Sequence, residues 1–210
     1  MKLIIIRHAE TTWNNKHKTQ GKADIPLSSL GKRQASLLGK RFSEAKIDAV
    51  YSSMLQRSIK TAEAVARHHP HIALIKAQEL NEMNWGKWEG LTFEQIARTY
   101  PKEFAARQLD KFNIAPPQGE SPAALKRRIT PFLRKMIDRH KNQTVLVVGH
   151  AGMNRVIIGT ILGWSEQKTA STTFKNTSVT ILHVKKGKSR MRLFNCTSHL
   201  ETTIAKKKSF

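Results

Sequence analysis

Short apolar runs punctuate the chain, and most of the stretches between them carry helical spacing. Residues 3–7, 49–52, 72–75, 144–149, 178–184 and 191–196 read as strands, each a short, largely apolar run. Between them apolar positions recur at steps of three and four. Ala35, Leu38, Phe42 and Ala45 form one stripe, and Leu55, Ile59, Ala62 and Ala66 a second. Leu125, Ile129, Phe132, Leu133 and Met136 form a third, and Met153, Val156, Ile157 and Ile161 a fourth. Ser121 ahead of Pro122 has the chemistry of a helix start, a hydroxyl cap before a first-turn proline. Pro131 inside the third stripe predicts a kink.

Strands alternating with helices predict a three-layer α/β/α fold with a mostly parallel central sheet. The continuous apolar run at 145–148 suits a strand covered on both faces. Residues 85–117 break the alternation and read as a small, cap-like helical insertion over the sheet. No linker and no repeat with a period of about 20–50 residues interrupts the pattern. Residues 1–210 therefore read as one domain ending in a basic tail at 205–210.

Composition narrows the classes. The chain is 39% hydrophobic and 25% charged, ordinary for a soluble domain with a core. The opening apolar run, Leu3 to Ile6, is stopped by Arg7 and His8. It is shorter than the roughly seven to fifteen residues of a signal-peptide core, and no run approaches the ~20 of a membrane span. A cytoplasmic protein without a membrane partner is expected. The single cysteine, Cys196, excludes an internal disulfide and a multi-cysteine zinc site, and reads as a small buried residue near a strand end.

Charge is the unusual bulk feature. Lys and Arg number 37 against 15 Asp and Glu, a net +22. Residues 139–210 carry thirteen Lys or Arg and only Glu166 and Glu201 as acids. Such a field attracts anions, whether phosphorylated metabolites or nucleic acid, and also serves solubility alone.

In open α/β sheets, ligands sit beyond the carboxyl ends of the strands. The first strand ends at Arg7 and His8. The second runs through Ser52 and Ser53 toward Arg57, and the central one ends at His150, Ala151 and Gly152. Two histidines and two arginines thus converge from three places in the sequence. Arginine forks match phosphate oxygens, and the helices starting after Ser53 and Gly152 are expected to aim N–H groups at the same anion. A neutral histidine can take a phosphoryl group covalently, and a second, protonated histidine can hydrogen-bond to it. The leaving alkoxide needs a proton, for which Glu82, just after the third strand, is the candidate. Taken singly, His8 is a polar strand cap, Arg57 a solvated helix residue and His68, His69 and His71 a polar helix end. Trp85 and Trp88 read as packing residues or pocket walls.

These segments resemble the histidine phosphatase superfamily, which includes the cofactor-dependent phosphoglycerate mutases. The run from Leu3 to Thr11 is similar to the signature around the phosphorylated histidine. Asn14, Gln20, Gly21, Asp24, Pro26, Leu27, Gly31, Gln34 and Ala35 match what usually follows. Residues 51–58 with Thr61 and Ala62 resemble the second-arginine segment, 80–90 the acid segment and 147–152 the second-histidine segment. Gly119, Glu120 and Ser121 resemble the start of the late helix, and Asn176 to Ser178 with 195–200 the closing strands. Ala9 and Ala151 stand where glycine is common, and both remain small enough for close approach to phosphate.

The resemblance implies His8 as phosphorylated nucleophile, with Arg7, Arg57 and His150 holding the phosphate. It implies Glu82 as general acid and later base, and Asn14, Gln20, Gly21 and Ala151 lining the site. It further implies a phosphatase acting on a small phosphorylated metabolite, with no metal and no cofactor in the chemistry. The compact stretch between Trp85 and Gly119, the residues Trp88 to Thr92, and Tyr100-Pro101 resemble the phosphatase branch, which includes broad-specificity and α-ribazole phosphatases. A bisphosphoglycerate-dependent mutase and a polyanion-binding protein on the same scaffold are the alternatives. A monomer or homodimer is expected.

Overall fold

The computed structural model describes residues 1–185 and 187–203, so the basic tail expected at 205–210 lies outside the described residues. Six strands, β1 (Lys2–Arg7), β2 (Ala49–Ser52), β3 (Leu74–Lys76), β4 (Thr144–Gly149), β5 (Val179–His183) and β6 (Arg190–Cys196), form one sheet in the order β3-β2-β4-β1-β5-β6. The β3–β2, β2–β4 and β4–β1 pairings are parallel, while β1–β5 and β5–β6 are antiparallel, so β5 alone runs against the others.

Parallel neighbours require crossover connections. Helices α1 (Thr12–Asn15), α2 (Ser29–Arg41) and α3 (Gln56–Ala66) come first along the chain. They are followed by α4 (Phe93–Thr99), α5 (Pro101–Leu109), α6 (Pro122–Arg139), α7 (Ala151–Leu162) and α8 (Glu166–Ser171). Side chains alternate across β1 and divide the core in two. Leu3 and Ile5 pack with Leu125, Ile129 and Leu133 of α6 and Met153, Val156 and Ile157 of α7. Ile4 and Ile6 pack with Leu38 of α2 and Ala62 and Val65 of α3. The sheet is therefore covered on both faces, as the continuous apolar runs of β1 and β4 require.

Local chemistry accounts for the boundaries. Ser121 caps α6, its hydroxyl accepting from Ala124 N–H at 3.2 Å, and Pro122 opens the helix. Pro131 lies within α6 without ending it. The third strand begins later than its apolar run, at Leu74 rather than residue 72. Ile72 N–H is spent on His69 C=O at 2.9 Å in the turn after Pro70, so pairing with β2 starts at Leu74 opposite Val50. His69 bonds Phe42 C=O through Nε2 at 2.9 Å, an architectural role. Cys196 ends β6 as expected but is only half-buried, because β6 is an edge strand. Its Sγ lies 3.6 Å from both Nη atoms of Arg41. Residues 85–117 hold one short helical turn, α4 and α5.

Candidate active site

The register of β1 on β4 sets the site. Arg7 lies opposite Gly149, so His8 and His150 leave adjacent strands side by side. His8 N–H donates to Gly149 C=O at 2.8 Å, and the two imidazole centroids are 5.1 Å apart. On the other side of β4, Ser52 pairs with Val148, which brings Ser53 against His150 and starts α3 with Arg57 in its first turn.

His8 is buried, and its Nδ1 lies 2.8 Å from Ala9 C=O. A carbonyl can only accept, so Nδ1 carries the proton and Nε2 keeps its lone pair. Burial, then the charges of Arg57 and Arg7, hold the imidazole pKa well below its ordinary value. His8 is thus a neutral imidazole in the tautomer a nucleophile needs.

Arg57 is fully buried and donates to Gly21 C=O (2.7 Å), Ala23 C=O (2.6 Å) and His150 Nδ1 (3.2 Å). Burial lowers its pKa to about 10, against the opposing pull of Glu82, and it remains a cation at neutral pH. Arg7 donates through Nη1 to Phe174 C=O at 2.6 Å, while its Nε is buried without a partner. Burial, partly offset by Glu82, also brings Arg7 to about 10. His150 differs from expectation. Burial first, then Arg57, keep its pKa well below the ordinary value, so the structure holds it neutral rather than protonated.

Glu82 sits at the N-terminus of α7. Its Oε1 accepts from Met83 N–H at 2.8 Å and Met153 N–H at 3.0 Å, and its Oε2 from Gly152 N–H at 3.0 Å. Two donors occupy the lone pairs of Oε1, leaving one on Oε2 for a proton. A Cβ on Gly152 would stand 2.5 Å from Oε1, so this carboxylate position requires glycine there. The helix termini expected to cradle the anion are therefore taken by side chains. Glu82 occupies α7, and Asp24 Oδ1 accepts Gln56 N–H of α3 at 2.7 Å. A carboxylate at a helix N-terminus is favoured by the same dipole that would have held phosphate.

All the residues expected in the site line one cavity of about 470 Å³, apart from His150, which stands directly behind His8. Asn14 Oδ1 accepts from Thr11 N–H, Thr11 Oγ and Asn176 Nδ2, which leaves its Nδ2 as the group able to meet a ligand. Gln20 is buried with Oε1 unpartnered, Gly21 adopts φ +51°, and Ala151 opens α7 at the wall. Trp85 and Trp88 form an aromatic wall, their ring centroids 6.3 Å apart.

Sequence reasoning gave no site role to Ser53, Arg107, Arg155 or Asn176. Ser53 Oγ lies 2.8 Å from His150 Nε2, and Asn176 Nδ2 donates to His8 C=O at 3.0 Å. Arg155 had a usable signal: it follows Ala151 by four residues on one helix, and so shares its face. Arg107, on the insertion, had none, because nothing local says where the insertion folds.

The profile of the histidine phosphatase superfamily (branch 1) matches residues 3–197. Phosphoserine phosphatase 1 of Hydrogenobacter thermophilus is 34% identical over 200 residues, covering 95% of this chain and 94% of its own. Phosphoglycerate mutase-like protein 4 of Arabidopsis thaliana is 31% identical, over 96% of this chain and 87% of its own. The crystal structure of the α-ribazole phosphatase from Shigella flexneri superposes with a TM-score of 0.85 at 25% identity, covering 94% of this chain and 97% of that one. With the family profile spanning nearly all of the sheet and every residue of the cavity described above, this chain belongs to the histidine phosphatase superfamily, branch 1.

Proposed function

We infer that this histidine phosphatase hydrolyses the phosphate monoester of a small metabolite, with His8 as nucleophile. The observation that carries the reading is the His8 tautomer: Nδ1–H is tied to Ala9 C=O, so the Nε2 lone pair is free beside two guanidinium groups. His8 Nε2 attacks phosphorus while the ester P–O bond breaks, and Arg7 and Arg57 offset charge on the phosphoryl oxygens. The leaving alkoxide takes a proton from Glu82 Oε2. Water then attacks the phosphohistidine, Glu82 accepts its proton, and inorganic phosphate leaves with His8 regenerated. The phosphatase name of the 34% identical relative and the α-ribazole phosphatase structure support hydrolysis as the outcome. Among the described residues no helix is long and apolar enough to cross a membrane. A cytoplasmic setting, where small phosphate esters are found, completes the reading.

The test is p-nitrophenyl phosphate hydrolysis in the presence of EDTA. Wild type turns over, His8→Ala loses at least about 10⁴-fold, and rapid quench traps an acid-labile phosphoenzyme. Measurable turnover retained by His8→Ala removes the nucleophile assignment. Isomerisation of phosphoglycerates faster than phosphate release would replace hydrolysis with mutase chemistry.

A further inference from the structure

Positive charge is densest at the end of the sheet opposite the catalytic cavity. Five of the eight residues 185–192, the turn and outgoing strand of the β5–β6 hairpin, are Lys or Arg, and none is acidic. His183, Lys185, Lys188, Arg190 and Arg192 line a cleft of about 260 Å³. Among the described residues no acid joins them, and none of the five forms an ion pair. His183 lies opposite Lys2, and His8 follows the far end of β1, so roughly 20 Å of extended strand separates cleft and nucleophile.

The backbone holds these side chains together. Val184 N–H donates to Met1 C=O at 2.9 Å, which ties the hairpin to the start of β1. In the turn, Lys188 N–H and Ser189 Oγ both donate to Lys185 C=O at 3.2 Å, and Gly187 takes φ +74°. His183 pairs with Arg190. Leu182 then pairs with Met191 but Ile181 with Leu193, so Arg192 is the extra residue of a bulge. The bulge lets Leu193 turn to the core while Arg190 and Arg192 both reach the cleft. Charges that only guarded an edge strand would sit on β6 alone. Here the turn and the interior strand β5 contribute to the same cleft. Like charges on paired strands repel, so gathering them costs stability unless a ligand supplies the counter-charge.

A short Lys/Arg-rich run suits the repeated phosphates of nucleic acid. Phe194, two residues beyond Arg192 on the edge strand, adds a second feature. It is 44% exposed, and its ring is held edge-on by Phe174 with centroids 5.6 Å apart. Cations in a groove with an exposed aromatic ring close by are what single strands require, phosphates on the cations and a base on the ring. We propose that the β5–β6 hairpin is a binding surface for single-stranded nucleic acid, with Lys185, Lys188, Arg190 and Arg192 meeting phosphates and Phe194 stacking a base. The surface goes beyond the phosphatase reading and does not depend on it, because cleft and cavity share no residue. A strand bound there leaves the cavity open.

The probe is a fluorescein-labelled oligothymidylate of about 20 nucleotides without a terminal phosphate, read by anisotropy with vanadate present to occupy the cavity. Wild type is expected to bind, with log Kd rising against log salt at a slope of about 3, or about 0.7 for each of four cations. The double variant Arg190→Ser/Arg192→Ser should bind at least about tenfold more weakly and lower the slope by about 1.4. Lys32→Ser/Arg33→Ser, an exposed pair on α2 with the same change of charge, should leave both near wild type. Phe194→Leu should weaken the single strand about fivefold or more and leave a duplex of equal length unaffected. Circular dichroism and Tm check the fold. If the β6 variant does not fold, Lys185→Ser/Lys188→Ser in the turn decides the matter. No binding at about 100 mM salt, or equal losses in the hairpin and α2 variants, overturns the surface. So does stronger binding to vesicles containing phosphatidylserine, or competition between the oligonucleotide and p-nitrophenyl phosphate. Hydrolysis of p-nitrophenyl phosphate should be unchanged in the hairpin variants. Its absence in wild type is a failure of the phosphatase reading and leaves the hairpin standing.

Discussion

Arg57 donates its Nε–H to Nδ1 of His150 at 3.2 Å, and both side chains are fully buried. A guanidinium has only donors, so Nδ1 must accept and the imidazole proton must sit on Nε2, where Ser53 Oγ receives it at 2.8 Å. His150 is thereby held neutral by its neighbour, and the fixed positive charge at this point belongs to Arg57. A bound phosphate dianion reverses that electrostatic pressure and favours the protonated imidazole. Protonating His150 would place the added proton on Nδ1 and require the Arg57 Nε–H bond to break.

Stability should fall on the acid side of neutrality. An unfolded histidine titrates at about 6.5, while His8 and His150 titrate well below that when folded. Between the two values the unfolded chain binds more protons, so stability is fully present above about pH 6.5 and is lost as pH falls. The slope is at most about 1.4 kcal/mol per pH unit for each histidine. Thermal unfolding from about pH 7.5 to about pH 5 measures it, and inorganic phosphate should flatten the slope. A Tm constant over that range contradicts the neutral pair.

Gly152→Ala places a methyl group 2.5 Å from Glu82 Oε1 and pushes the carboxylate off the α7 N-terminus. Loss of proton donation should cost alkyl phosphates about 10²-fold in kcat and p-nitrophenyl phosphate, with its better leaving group, much less. Equal losses on both substrates would assign Glu82 a purely structural role.

Arg57→Lys keeps the charge but cannot reach Gly21 C=O, Ala23 C=O and His150 Nδ1 together. A fall in kcat/KM of about 10²-fold is expected, with a stability loss of about 1–3 kcal/mol from buried carbonyls left unpaired, read as a lower Tm. Vanadate titration checks the anion-binding part directly.

Asn14→Asp preserves shape and the acceptor that meets Thr11 and Asn176 while replacing the cavity-side amide with negative charge. KM for any phosphate ester should rise at least about tenfold with little change in Tm. An unchanged KM would place Asn14 outside the phosphate's reach.

The split between legible and illegible features follows physical range. The convergence of His8, Arg7, Arg57 and His150 was legible because strand ends locate them, while Glu82 and the roles proposed for all five rested on the family resemblance. The third strand's late start was not legible, because the turn bond from Ile72 to His69 overrides an apolar run. The half-buried Cys196 was missed because a strand at the sheet edge and one in the centre share the same alternation.

Periodicity and short motifs are local, so the sequence by itself determined the order of strands and helices, the two apolar faces of the sheet and the chemistry of the residues at its edge. Only the tertiary structure decided what surrounds them. The Arg57–His150 contact joins residues 93 apart, Glu82 takes the helix N-H groups meant for phosphate across 70, and Arg155 and Arg107 meet one cavity from α7 and the insertion. Protonation states depend on burial and on neighbours brought together by folding, and no window of sequence contains them.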